Sequence, residues 1–118
     1  MKCLSIRQPW AHAIFALGKD VENRSWPTRY RGPLLIHTAR RIEAVPCQQL
    51  GVQPAALLTG CCIGVVELVD CVRESTSPWA IAGQWHWILR SPHLLSEPMA
   101  LAGQLGLFEV SLAAAAGA

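Results

Sequence analysis

Leu4-Ser5-Ile6-Arg7-Gln8-Pro9-Trp10 leads, through a short apolar segment, into Gly18-Lys19-Asp20-Val21-Glu22-Asn23-Arg24. The elements these two stretches dictate decide the fold. Alternation over Met1 to Ile6 predicts a strand. Pro9 suits the first position of a helix, where its missing N–H costs nothing. Trp10, Ala13, Ile14 and Leu17 recur at i, i+3, i+4 and i+7, one apolar face of a two-turn helix. Gly18 stands where a left-handed residue closes such a helix. Residues 19–26 then read as a strand, with Glu22, Arg24 and Trp26 on one face and Lys19, Val21 and Asn23 on the other. Lys19 joins Glu22 and Arg24 only if the glycine turn or a bulge resets that alternation.

Outward from this unit, Pro27 to Pro33 is a turn-rich loop, and Leu34-Leu35-Ile36-His37 reads as a buried strand. Residues 39–60 form a long connection with a helix around 41–50, broken by Gly51, Pro54 and Gly60. The longest strand signal runs from Cys61 to Val72, with Ile63, Val65, Val69 and Cys71 along one face and Glu67 in its middle. Trp85 to Leu89 and Leu105 to Leu112 predict two more strands. The reading is one domain over 1–112 and an Ala-rich tail over 113–118. Short strands with helices near the start imply an α+β class, a small mixed β-barrel of about five or six strands and two or three short helices, rather than a doubly wound sheet.

Composition excludes a disordered chain: over half of the 118 residues are apolar and 15% are charged. The charge is unevenly spread. Residues 1–41 carry eight Lys and Arg against Asp20 and Glu22, whereas residues 42–118 carry Arg73 and Arg90 against six carboxylates. A basic half suits a face turned towards a polyanion.

Five cysteines (Cys3, Cys47, Cys61, Cys62, Cys71), an odd number without a C-x-x-C pair, point to a reducing compartment and away from a zinc site. The four histidines lack helical metal spacing, so no metal or cofactor is expected. Arg7 interrupts the first apolar alternation, which leaves no signal peptide or membrane span in view, and a cytoplasmic location is the expectation.

Within the basic half, Lys19 is a compact cation able to pair with Glu22, to meet a phosphate or, once desolvated, to act as a base. Glu22 is able to accept hydrogen bonds from a nucleobase amino group or to hold its cationic neighbours in place. The planar fork of Arg24 fits phosphate or a carboxylate. Trp26 follows Arg24 on the same face and is a stacking platform, while Trp10 on the helix face reads as core. Arg29-Tyr30-Arg31 has the interleaving of cations and rings found in single-strand binders. Arg7 and Gln8 precede a helix N-terminus that is able to meet an anion. His37, behind three aliphatic residues, is either a core histidine or a strand end facing the cleft.

Three segments together carry a family resemblance: Leu4-Ser5-Ile6-Arg7-Gln8-Pro9-Trp10-Ala11, then Gly18-Lys19-x-x-Glu22-x-Arg24, then Tyr30-Arg31-Gly32-Pro33-Leu34-Leu35-Ile36-His37. With Gly64 to Asp70, Trp87-Ile88-Leu89 and Gly106 to Val110 following in order, the chain resembles the ASCH domain (activating-signal-cointegrator homology). The resemblance implies a PUA-like β-barrel whose cleft is lined by the motif and which binds RNA, a nucleotide or a modified nucleoside. Some small members are amidohydrolases of N4-acetylcytidine that use a lysine, a threonine and a glutamate, and others have been described as ribonucleases. Lys19 matches that lysine; Glu22 stands where the threonine would be, and Glu67 and Glu74 are candidates for the glutamate. Two functions follow as expectations. One is a binding module for single-stranded RNA or a nucleoside; the other is a hydrolase or ribonuclease with Lys19 and Glu22 as its catalytic pair. A purely protein-binding domain fits the charge pattern less well.

Overall fold

The computed structural model describes residues 1–111; the Ala-rich tail expected at 113–118 lies outside the described residues. The elements in chain order are β1 (Lys2–Gln8), α1 (Trp10–Ala16), β2 (Val21–Arg24), β3 (Gly32–Ile42), α2 (Ala44–Leu50), a 3-10 turn (Pro54–Ala56), β4 (Cys61–Val72), β5 (Trp85–Ala100) and β6 (Leu107–Glu109). The six strands form one mixed sheet in the order β2-β5-β4-β3-β1-β6, and β1 with β3 is its parallel pair. None of the helices among the described residues is long and apolar enough to cross a membrane.

The α+β class and the strand number agree with the sequence, but the barrel is not closed. Among the described residues no ladder joins β2 to β6, so the sheet ends in two edges. Both edge strands are short: β2 has four residues and β6 three. A side chain spans the opening instead, with Arg24 Nη2 on β2 donating to the Ser5 carbonyl of β1 at 2.9 Å.

The two sheet faces carry different cores. On one, Leu4 and Ile6 of β1, Leu34 and Ile36 of β3, Val66 and Leu68 of β4 and Trp87 of β5 pack with Ala11 and Ile14 of α1. On the other, Cys3, Leu35, Cys62, Phe108 and Val110 form a smaller cluster. The strict alternation expected of β4 fails at its centre. Cys61 and Ile63 share a cluster with Val66 and Leu68, so parity changes between 63 and 66, where the β4–β5 register shifts. An inserted residue of this kind re-aims every side chain beyond it, and Val69 ends up exposed rather than in line with Ile63. Gly64 sits in this irregular stretch because a Cβ there would lie 2.4 Å from Phe15 Cε1 and 2.7 Å from the His93 carbonyl.

Several boundaries moved for identifiable reasons. β3 runs on to Ile42 because its end continues to pair with β1 at Gln8, so the helix expected near 41 begins at Ala44. β5 extends well past the expected end at Leu89, through Pro92 and Pro98. Beyond Leu89 it has β4 as its ladder partner and a free opposite side, the setting in which a strand tolerates proline. Among the described residues of the expected Leu105–Leu112 strand, β6 covers Leu107–Glu109.

Candidate functional site

The helix–turn–strand unit behaves as its residues dictate, with one resolution of the open question about Lys19. Helix α1 ends at Ala16 with Leu17 as its cap, and Gly18 follows at φ +73°, the left-handed geometry that favours glycine. The Lys19 amide then donates to the Ala13 carbonyl, so Lys19 belongs to the turn and β2 begins only at Val21. The turn therefore resets the alternation. Lys19 Nζ lies 2.9 Å from Glu22 Oε1 and also donates to the Val21 carbonyl. From the other side Arg24 donates through Nε to Glu22 Oε2 at 3.0 Å, and its Nη2 lies 2.9 Å from the same oxygen. One carboxylate thus holds two cations. Lys19 is 4% and Glu22 7% exposed, which makes this a buried network whose charges are tolerated because they are paired.

Two adjoining cavities flank this network, and both are lined by Trp10, Glu22, Asn23 and Glu43. The first, of about 470 Å³, has mixed walls: Ser5, Arg7, Arg24, Ser25, Gln84 and Gln104 stand beside Ile6, Trp26 and Leu105. Arg7 is half-exposed here, with its nearest carboxylate, Glu43, 3.9 Å away. Trp26 packs edge-on against the buried Trp87 at a centroid distance of 4.8 Å. The second, of about 490 Å³, is walled by Pro46, Leu50 and the segment Pro78-Trp79-Ala80-Ile81, with Lys19 at its base.

Of the residues singled out in the sequence, Arg7, Lys19, Glu22, Arg24 and Trp26 come together in this two-lobed cleft. The others lie elsewhere. Gln8 is buried, and its amide serves α1 rather than the cleft: Oε1 accepts from the His12 N–H and Nε2 donates to the Leu58 carbonyl. It thereby satisfies one of the helix's orphan donors itself. Tyr30 donates its hydroxyl to the Pro33 carbonyl, Arg31 caps the Thr28 and Tyr30 carbonyls and lies 3.6 Å from Asp70, and Arg29 is exposed. His37 sits under the second core, edge-on to Phe108. Its Nε2 meets the Leu101 carbonyl, an acceptor only, so Nε2 carries the proton and Ser5 Oγ donates to Nδ1. Neither Glu67 nor Glu74 lines either cavity.

Three site features escaped the sequence reading. Trp10, expected in the core, walls both lobes and donates its indole N–H to Glu43. Glu43, the carboxylate shared by the two lobes besides Glu22, comes from the junction of β3 and α2, where no local motif marks it. The wall at 77–81 is held by Asn23 of β2, Asp20 of the turn before it and His86 of β5. Asn23 Nδ2 donates to the Trp79 carbonyl and its Oδ1 accepts from the Ile81 N–H, both at 2.9 Å. Asp20 accepts from the Ser77 hydroxyl, and His86, opposite Asn23 in register, accepts from the Ser75 N–H and donates to the Ile81 carbonyl. Among the described residues no group of three His, Cys, Asp or Glu is placed to hold a metal ion.

Comparison with known proteins gives a consistent picture. The family model of the ASCH domain matches residues 4–94. Activating signal cointegrator 1 of Homo sapiens and that of Mus musculus are each 34% identical over 84 residues, which is 61% of this chain. The match spans only 14% of the length of each of these relatives.

Proposed function

The chain belongs to the ASCH domain family, and from that premise we propose that it is a small nucleic-acid-binding domain which holds single-stranded RNA, or a modified nucleoside, in the two-lobed cleft. The open six-stranded sheet would then serve as a variant of the PUA-like barrel. The observation that carries this reading is the half-exposed Arg7, which lines one cavity together with Trp26 and with Glu22 and Arg24 of the buried ion-pair network. Arg7 supplies a cation for phosphate, because its one ion pair, to Glu43, is long at 3.9 Å and exposed to water. Trp26 supplies a ring, and the Arg24 guanidinium retains donors beyond those used by Glu22 and Ser5. Arg40 and Arg41, exposed just beyond the cleft residue Ala39, add charge near the rim.

The hydrolase reading, with Lys19 and Glu22 as its pair, is less well supported. Both oxygens of Glu22 are engaged by cations, and Lys19 Nζ already serves two acceptors. Groups so committed are better suited to positioning than to proton transfer. The test is a fluorescence titration of the tryptophans with a short single-stranded RNA at low salt, run beside incubations with N4-acetylcytidine and the same RNA read by mass spectrometry. Saturable quenching with intact substrates is the expected result. Deacetylated cytidine or cleaved RNA that disappears in Lys19→Ala would replace the binding reading with the catalytic one.

A further inference from the structure

We infer that the second lobe is a base pocket: a nucleotide whose phosphate lies against Arg7 in the first lobe places its flat, uncharged base in the lobe walled by Trp10 and Trp79. This inference rests on the nucleic-acid reading of the cleft and goes beyond it by dividing the ligand between the two cavities. The chemistry of the walls makes the division. The first lobe offers Arg7, Arg24 and a set of serine and glutamine side chains, which suit phosphate and sugar. In the second, the one cation is Lys19, which is buried and bound to Glu22, and the remaining charges are the carboxylates of Glu22 and Glu43. A phosphate is repelled there. A ring with amino or imino hydrogens is favoured, because tryptophan and proline give it faces to pack on and Glu43 gives it an acceptor.

The wall is also a built structure. Asp20, Asn23 and His86 hold Ser75, Ser77, Trp79 and Ile81 through five hydrogen bonds that cross from the sheet to the loop. Asp20 and Asn23 lie within the same run as Lys19, Glu22 and Arg24, so one short segment sets both the floor of the cleft and the position of its apolar wall. The two lobes share Trp10, Asn23, Glu22 and Glu43, so a single ligand is able to reach from one into the other.

The experiment compares a pentaribonucleotide with an abasic oligomer of the same length and charge, using the whole chain and the variants Trp79→Ala and Ala80→Trp. The second variant fills the lobe without removing a wall residue. Wild type is expected to prefer the RNA by roughly tenfold or more, the gain that one stacked base provides. Both variants are expected to lose that preference while keeping the wild-type affinity for the abasic oligomer, which also reports that they remain folded. A preference retained in both variants overturns the base pocket and leaves the cationic cleft standing. Failure of wild type to bind either oligomer at low salt overturns the nucleic-acid reading and this inference with it.

Discussion

Glu22 is the residue on which the site turns, because it compensates two cations in a place almost closed to water. Lys19 Nζ keeps the Val21 carbonyl if the carboxylate is removed, but its charge loses its counter-ion. Breaking a buried pair from one side costs about 3–5 kcal/mol, and Glu22→Gln is expected to lower the urea unfolding free energy by an amount in that range. A loss below about 1 kcal/mol, the worth of an exposed pair, would mean that the network is solvated. Arg7 is the opposite case, since it is half-exposed and only loosely paired with Glu43, at 3.9 Å. Arg7→Gln should leave stability within about 0.5 kcal/mol while weakening RNA binding. The charged members of the site were legible in the sequence because they lie together in one short run. Glu43 and Trp79 were not, because what makes them site residues is a contact with Trp10 or Asn23, more than thirty residues away in each case. The place of Gln8 was not legible for a related reason: its bond to the His12 N–H depends on where α1 begins.

At the scale of elements, the local signals worked where a segment packs as its own pattern requires. Helix α1 and its Gly18 stop follow directly from spacing, and β1, β2 and the centre of β3 lie where alternation puts them. The failures lie in β4 and β5, where the partner strand decides. The parity change between Ile63 and Val66 belongs to the β4–β5 ladder, and the tolerance of Pro92 and Pro98 belongs to the free side of β5. Gly64 marks the same junction. In Gly64→Ala the new methyl group meets both the Phe15 ring and the His93 carbonyl, and a backbone carbonyl cannot turn aside as a side chain does. Overpacking of this kind costs about 1–3 kcal/mol, so a thermal melt several degrees below wild type is expected. An unchanged melting temperature would show that the strands separate without strain at this point.

For the molecule as a whole, the two sheet faces and the cleft divide the chemistry of the chain. The small second core contains Cys3 and Cys62, whose sulfurs lie 3.8 Å apart. The hydrogen bond to Cys62, with burial, pushes the Cys3 thiol far above its ordinary range, and the same bond draws Cys62 down as its acceptor. Cys47 and Cys61 are buried as well, so Cys71 is the one cysteine with appreciable exposure. Titration with a thiol reagent should therefore modify one cysteine per native chain and all five after unfolding in guanidinium; rapid native modification of several would contradict the packing of both cores. The charge asymmetry of the sequence has its counterpart in the fold, since Arg7, Lys19 and Arg24 of the basic half meet at one cleft. What composition does not reveal is that two of those three charges are already spent on Glu22. The central claim is that the exposed cationic rim holds a single-stranded polyanion. Its most direct test is the affinity of wild type and Arg7→Gln for a short single-stranded RNA over a salt series. If about three phosphates are engaged, a fourfold rise in salt should weaken wild type roughly twentyfold, and Arg7→Gln should reduce the logarithmic slope by about 0.7. An affinity that is absent, or indifferent both to salt and to Arg7, would contradict it.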